Sequence, residues 1–304
     1  MTETRLPSEA GLSPRDSAAA LLVVMLWGLN FVAVKLALHT LPPFLLTGLR
    51  FAVTAAILVP FFRPRRQQLG GILLLAAVLG FGHFGLIFFA LSRMDAATAG
   101  IAIQLGIPFS ALLAWLVFDE HLGWRRAVGM TVAFGGVALL AGEPHRPGIL
   151  PLLAVVVSAM SWAWSNVVIK RIGAIDPLTL NGWVALFACP MLLGLSLAAE
   201  TGQAEAIAAT GWMGWSGLAY TIIGSTLIAY SLWYRLIERH PMNRVVPFTL
   251  LGPAVAVTGG VLLLGEPLTW HKLVGGILTV GGVGIIQLLP GRSITPIEEP
   301  EPGT

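Results

Sequence analysis

The chain carries the same apolar pattern twice, and the spacing of the two copies restricts the folds that it can adopt. Three residues recur 135 positions later, namely Trp27, Lys35 and Pro42 as Trp162, Lys170 and Pro177. A second set recurs 145 or 146 positions later, namely Pro108 as Pro253, Glu120 as Glu266, Trp124 as Trp270 and Gly129 as Gly275. Each copy occupies about half of the chain, which indicates a duplicated membrane bundle rather than a solenoid of short repeats.

Ten apolar runs are long enough to cross a bilayer, which requires roughly 20 residues of helix. Only 11% of the residues are charged and 56% are hydrophobic, whereas soluble domains have about 25% charged residues. Lipid is therefore the expected solvent for most of the surface. The predicted helices, numbered 1 to 10, are 18–38, 43–62, 70–91, 96–118, 124–142, 148–169, 177–198, 212–235, 243–264 and 271–289.

The positive charges predict the orientation of these helices. With the N-terminus inside, 13 of the 18 Lys and Arg residues fall in cytoplasmic segments, as the positive-inside rule requires. We therefore expect a multi-pass protein of the bacterial inner membrane with both termini in the cytoplasm. The expected units are a cytoplasmic segment 1–17, five-helix repeats at 18–142 and 143–290, and a disordered cytoplasmic tail at 291–304.

An odd number of helices in each repeat forces the two copies into opposite orientations. Lys35 falls at the outer end of helix 1, whereas its counterpart Lys170 falls at the inner end of helix 6. The sequence thus predicts an all-α polytopic fold in which two inverted five-helix repeats surround a central cavity, the arrangement on which many secondary transporters build alternating access.

Enzyme chemistry has no visible support in the sequence. No Walker loop, HExxH or GxSxG motif occurs, and no Cys/His cluster has metal-ligand spacing. We therefore expect no catalytic residues, no metal, no cofactor and no nucleic-acid partner. An integral-membrane enzyme is kept only as a distant alternative.

Polar and aromatic side chains at membrane depth are the candidate binding residues, because such groups avoid facing lipid. The expected substrate-binding set is Asn30, His83, Gln104, Trp162, Trp164, Ser165 and Tyr230. For each one, packing against a neighbouring helix is the alternative, and for His83 that alternative is a purely structural histidine. No Asp or Glu lies well inside a predicted span, which disfavours carboxylate-based proton exchange at the site.

Two prolines and two cations in the predicted helices each allow two interpretations. Pro108 and Pro253 interrupt helices 4 and 9 at equivalent positions and are expected either to act as hinges or to form static kinks. Lys35 and Arg50 flank the outer joint of helices 1 and 2, where they either snorkel or pair near the headgroups or bind a substrate carboxylate. Six further tryptophans are assigned to the aromatic belts near helix ends, and these are Trp27, Trp115, Trp124, Trp212, Trp215 and Trp270.

The order of these motifs resembles the drug/metabolite transporter superfamily, and within it the ten-helix EamA-type carriers. The motifs are Trp27-Gly28-Leu29-Asn30-Phe31, Pro42, Pro108, and Glu120 followed by Trp124 and Gly129, repeated as Pro177, Pro253, Glu266, Trp270 and Gly275. The aromatic-rich helices 6 and 8 are similar to those of the YddG-type bacterial exporters of aromatic amino acids. The resemblance implies a central cavity lined by helices 1, 3, 4, 6, 8 and 9, and export from the cytoplasm.

Together these features predict a secondary transporter that exports amino acids, aromatic and other apolar ones, and similar small amphipathic metabolites. Its partners are expected to be the substrate and the lipid bilayer, and one chain is expected to function as a monomer because the duplication supplies both halves. A multidrug or other metabolite carrier of the same superfamily is the alternative.

Overall fold

Ten long helices form the part of the chain that the computed structural model describes, which is residues 12–118, 122–142 and 148–288. In chain order they are α1 (Pro14–Leu38), α2 (Pro43–Leu58), α3 (Arg66–Leu91), α4 (96–118), α5 (Gly123–Leu140), α6 (Ile149–Ile172), α7 (Pro177–Ala199), α8 (212–239), α9 (242–264) and α10 (Trp270–Leu288). A short helix, Gln203–Ala209, connects α7 to α8 and is the one helix in these ranges that the sequence did not predict.

The fold is an all-α polytopic membrane bundle, as predicted. Seven helices of the described residues are long and apolar enough to span a bilayer. The other three helices are too short or too polar to meet that criterion. Helix α2 has only 16 residues, α5 has Arg125 and Arg126 in its first turn, and α8 is rich in Trp, Tyr and Ser. Because the chain alternates direction, α1, α3, α5, α7 and α9 all end on one side of the bundle, which we call the far face. Helix α1 begins on the other side, the N-terminal face.

Four irregular helical segments occur in repeat-related pairs. Helix α3 widens to a π-helix at Ala76–Gly85, and α8 does so at Thr221–Ala229, starting 145 residues later. Helix α4 tightens to a 3₁₀ turn at Ile103–Leu105, and α9 does so at Val246–Leu251. The 3₁₀ turns directly precede Pro108 and Pro253, where the missing proline N–H removes a backbone hydrogen bond.

The contact between α5 and α10 shows the two-fold relation of the repeats directly. An added Cβ on Gly129 would lie 2.7 Å from the carbonyl oxygen of Gly282, and one on Gly275 would lie 2.8 Å from that of Gly136. The displacement of 146 residues converts the first contact into the second. Residue numbers increase along α5 while those of the contacting residues decrease along α10. The two helices are therefore antiparallel and related by inversion of the repeat, and small residues allow their backbones to touch.

The structure changes two expectations about the first helix. Helix α1 begins at Pro14 rather than at residue 18, and Trp27 lies near its middle rather than at an end. The Trp27 ring packs against Tyr230 and Trp233, and its indole N–H donates to the Ser225 carbonyl at 3.3 Å; its assignment to an aromatic belt was wrong. Glu120, the segment 143–147 and the tail 291–304 lie outside the described residues.

The α5–α10 contact yields a stability prediction with a control one residue away. Gly136→Ala would place a methyl group 2.5 Å from Thr279 Oγ1 and 2.6 Å from the Gly275 carbonyl, so the helices must separate. We expect a loss of about 1–3 kcal/mol in stability, measured as a lower melting temperature in detergent. A Cβ on Gly135 would have no neighbour within 4 Å, so Gly135→Ala should melt with the wild type. Equal melting of both variants would contradict the close packing.

Candidate functional site

A polar cluster lies in the interior of the bundle around Arg50. Arg50 is seven residues from the start of α2, a depth of about 10 Å from the far face, and is only 2% exposed. Its Nη2 donates a hydrogen bond to Thr226 Oγ1 at 2.9 Å. The guanidinium carbon lies 4.5 Å from the centre of the Phe84 ring, with Phe51 and Phe88 somewhat further away.

Of the two readings of Arg50, snorkelling to the headgroups is wrong. The side chain turns inward to Phe84 and Thr226, which the π-helical segments of α3 and α8 supply. The sequence signal that could have located it was a cation placed well inside a span, which marks functional positions in membrane proteins.

His83 faces the same interior and bridges α3 to α6. Its Nδ1 lies 3.1 Å from the Ser158 carbonyl oxygen and 3.0 Å from Ser158 Oγ, and Ser158 Oγ donates to the His83 carbonyl at 2.9 Å. A carbonyl oxygen can only accept, so Nδ1 carries the proton in this network and Nε2 remains an acceptor. The Arg50 charge lies within electrostatic reach of His83 and Tyr230.

Two further predicted site residues have buried atoms without a hydrogen-bond partner in the described residues. They are Oδ1 of Asn30 in α1 and Nε2 of Gln104 in the 3₁₀ turn of α4. Asn30 and His83 each lie eight residues from the far-face end of their helices, and Gln104 lies eight residues after Ala96. All three are therefore about 12 Å from the far face, close to the depth of Arg50.

Two aromatic rings of the predicted site lie on helices that carry this cluster. An added Cβ on Gly106 would lie 2.7 Å from the ring of Trp162 on α6, so only glycine admits the ring against α4. Tyr230 of α8 packs between Trp27 at 5.2 Å and Tyr234 at 5.8 Å. Both rings are half-buried.

Ser165 and Trp164 are placed differently from the other predicted residues. Ser165 is buried, and its hydroxyl donates to the Trp162 carbonyl at 2.6 Å, so it satisfies its own helix. Trp164 is 42% exposed and follows Leu153 and Val157 on the outward stripe of α6. The structure therefore does not bring Trp164 to the cluster, because its position in the 3.6-residue repeat points it away from the interior.

Polar contacts lie at the far face, and most of them join the two repeats. Glu266 accepts the backbone N–H groups of Ala96 and Ala97 at 2.7 and 3.0 Å and so caps α4. Glu200 caps α2 in the same way, through the N–H groups of Phe44 and Leu45 at 2.8 and 3.0 Å. Lys272 and Asp95 form an ion pair of 2.5 Å beside them. Lys35 donates to the carbonyls of Leu91 and Met94, both at 3.1 Å.

Two open grooves on the outside of the bundle are unrelated to the cluster. One, of about 590 Å³, lies between α2 and α7, and the other, of about 450 Å³, lies between α1 and α9. Their linings are almost wholly apolar and include none of the predicted substrate-binding residues. Lipid chains match such surfaces better than an amino acid does.

An inverted-repeat bundle with polar groups buried at mid-depth defines a class of multi-pass membrane carriers. Comparison with known proteins identifies the family. The model of the EamA-like transporter family matches residues 17–142 and again residues 149–288, so the chain belongs to the EamA-like transporter family. It is a transporter and not an enzyme.

The chain is similar to relatives in two enteric bacteria. A protein of Salmonella typhimurium named "Probable amino-acid metabolite efflux pump" is 31% identical over 284 residues, which cover 90% of this chain and 95% of that protein. A protein of Escherichia coli with the same name is 30% identical over 285 residues, with the same coverage. A solved crystal structure, 18% identical, shares the fold with a TM-score of 0.62 over 91% of this chain and 98% of that one.

The far-face contacts generate a prediction about Glu266. Glu266→Ala removes the acceptor of two helix N-terminal N–H groups, so stability should fall by about 1–3 kcal/mol, and Glu266→Gln, which keeps one acceptor oxygen, should lose less. The measurement is the melting temperature in detergent. Glu205→Ala is the matched control, because Glu205 is exposed in the connecting helix. A Glu266→Ala protein that melts like the control would show that this cap contributes nothing.

Proposed function

We propose that this protein exports amino acids, aromatic and other apolar ones, together with similar small amphipathic metabolites, from the cytoplasm by alternating access. The observation that carries the proposal is the set of buried polar atoms without partners at one depth, which comprises Asn30 Oδ1, Arg50 Nε and Nη1, and Gln104 Nε2. Buried polar groups are normally satisfied, so a ligand that complements them is the expected occupant. The names of the Salmonella and Escherichia relatives support the substrate class.

The chemistry of these atoms matches an amino-acid head group. Asn30 Oδ1 and His83 Nε2 are acceptors suited to an ammonium group, and Gln104 Nε2 is a donor suited to a carboxylate. Trp162 and Tyr230 then enclose the apolar side chain of the substrate, which favours aromatic substrates because ring pairs contribute beyond their buried area. Ser165 and Trp164 take no direct part in this arrangement.

The polar contacts join the repeats at both faces. Glu266, Glu200 and Lys272 join them at the far face. At the N-terminal face, Asn166 of α6 reaches Ser110 of α4 at 3.4 Å, and Asp16 pairs with His240 at 3.1 Å. With the N-terminus in the cytoplasm, as the charge distribution predicts, the proposed cycle breaks the contacts of the two faces in turn, and one chain supplies the whole path.

The moving parts of the proposed cycle are the units 18–142 and 143–290, hinged at the two repeat-related breaks. The 3₁₀ turns before Pro108 and Pro253 interrupt regular helix at equivalent points, and mid-helix 3₁₀ segments often mark hinges. The proline in α7, Pro190, has no such turn and no repeat-related partner, because Ala55 stands 135 residues before it.

Transport itself is tested with the purified chain in liposomes. Labelled Phe, Trp, Leu and other amino acids should exchange faster than in empty vesicles, and a panel of drug cations should not. No exchange of any amino acid would refute the proposal, and exchange of drug cations alone would favour a multidrug carrier.

The site assignment is tested with two tryptophans on one helix. His83→Ala and Trp162→Ala should lower the exchange rate about tenfold or more, the equivalent of about 1.4 kcal/mol, at unchanged folded yield. Trp164→Ala, two residues from Trp162 but facing outward, should retain the wild-type rate. A lower rate in Trp164→Ala together with an unchanged rate in Trp162→Ala would reverse the assignment of the α6 faces.

The hinges are tested with proline replacements. Pro108→Ala and Pro253→Ala restore a backbone N–H, so the helix can become regular and stiffer. We expect a slower maximal exchange rate, while the concentration for half-maximal rate stays unchanged. Pro190→Ala is the control for removing a helix proline, and it should exchange at the wild-type rate. Unchanged rates in both hinge variants would leave the breaks as static kinks.

A further inference from the structure

Two cations in the described residues are almost completely buried, and they are treated very differently. Lys272, 1% exposed, forms an ion pair with Asp95 and donates to the Pro267 carbonyl at 2.9 Å. Arg50, 2% exposed, has no carboxylate partner within residues 12–118, 122–142 and 148–288. One buried charge is neutralised by the protein itself, and the other is not.

An unpaired guanidinium is costly at this position. Arginine stays protonated in proteins, so it cannot avoid the cost of burial by becoming neutral, and removing the partner of a buried charge is strongly destabilising. The ring of Phe84, with Phe51 and Phe88, offsets part of the cost by cation–π attraction. Rings of this kind accept no strong hydrogen bonds, and Nε and Nη1 therefore remain without a partner.

The arrangement around Arg50 also orients the guanidinium. The bond from Nη2 to Thr226 Oγ1 fixes one side of the group, and Thr226 in turn donates to the Thr221 carbonyl at 2.8 Å. The Phe84 ring restrains the guanidinium as well. A planar, restrained fork with open N–H groups is the geometry that binds a carboxylate through two parallel hydrogen bonds.

We infer that Arg50 binds the carboxylate of the transported molecule and selects carboxylate-bearing substrates over the corresponding amines and amides. The inference rests on the proposed function and adds the group that recognises the substrate. It also predicts one binding pose, because the position equivalent to Arg50 in the second repeat is Ala185. A ligand without a carboxylate would leave the buried charge unpaired and would bind weakly.

The test compares four probes that share a phenyl ring, namely phenylalanine, phenylalanine amide, phenethylamine and 3-phenylpropanoate. Binding to the purified full-length protein is followed by the ligand-induced rise in melting temperature, and transport is followed in liposomes. The two carboxylates should stabilise the wild type, whereas the amide and the amine should not. Since a hydrogen bond to a charged group contributes about 1.5–3 kcal/mol, R50Q should bind phenylalanine about 10- to 150-fold more weakly.

Two further variants keep the result interpretable. R50K keeps the charge but loses the fork, so it should bind phenylalanine with intermediate affinity and retain the preference for carboxylates. R93Q removes an exposed arginine that stacks on Phe89 and should bind like the wild type. If R50Q does not fold, the ligand preference of the wild type and the affinity of R50K decide the question.

Three results would overturn the inference: equal binding of phenylalanine and phenethylamine by the wild type, unchanged phenylalanine affinity in R50K and R50Q, or stabilisation by none of the four probes. The proposed function fails separately. Stabilisation by 3-phenylpropanoate through Arg50 without exchange of any amino acid would refute amino-acid export and support the carboxylate site. Phenylalanine exchange that does not depend on Arg50 would support export and refute the site.

Discussion

The absence of water in a bilayer core is the constraint on which the rest of this structure depends. Every backbone polar group in lipid must be bonded inside the protein, so the chain crosses as helices. Departures from the regular helix in the interior of the described spans form two repeat-related pairs of segments, the π-helices at Ala76–Gly85 and Thr221–Ala229 and the 3₁₀ turns before Pro108 and Pro253. Arg50 contacts both π-helices, so irregular backbone lies beside the polar cluster.

Most long-range polar contacts of the bundle join one repeat to the other. At the far face, Glu200, Glu266 and Lys272 of the second repeat bind groups of the first. At mid-depth, Arg50 binds Thr226 and His83 binds Ser158, again across the repeats, and at the N-terminal face Asp16 pairs with His240 at 3.1 Å. Apolar packing also joins the repeats, most extensively between α5 and α10 and between α2 and α7. The polar contacts add a directional link between the repeats at each depth.

The fold was predictable because hydropathy, helix breakers and an odd number of spans per repeat are visible in the residues. All ten predicted helices occur, with ends within a few residues. The site was only partly predictable. The depth of Asn30, His83 and Gln104 in their predicted helices identified them as candidates. The directions in which Trp164 and Arg50 point depend on the rotation of each helix about its axis. The sequence does not define that rotation, because Trp162 and Trp164 are both plausible inward residues until the packing is known. The π-helices were not predictable, since the same apolar residues fit an ordinary helix.

Differences in sequence between the two repeats give the symmetric scaffold a single polar site. Three of the cluster residues have apolar counterparts in the other repeat: Arg50 corresponds to Ala185, His83 to Ile228 and Thr226 to Phe81. A carboxylate at the proposed site binds the same guanidinium that donates to Thr226, and the Arg50–Thr226 bond joins the two repeats. Substrate binding then changes a contact whose strength depends on how the halves are arranged. Such a difference in interaction energy between two arrangements is the condition under which a ligand shifts a protein from one to the other.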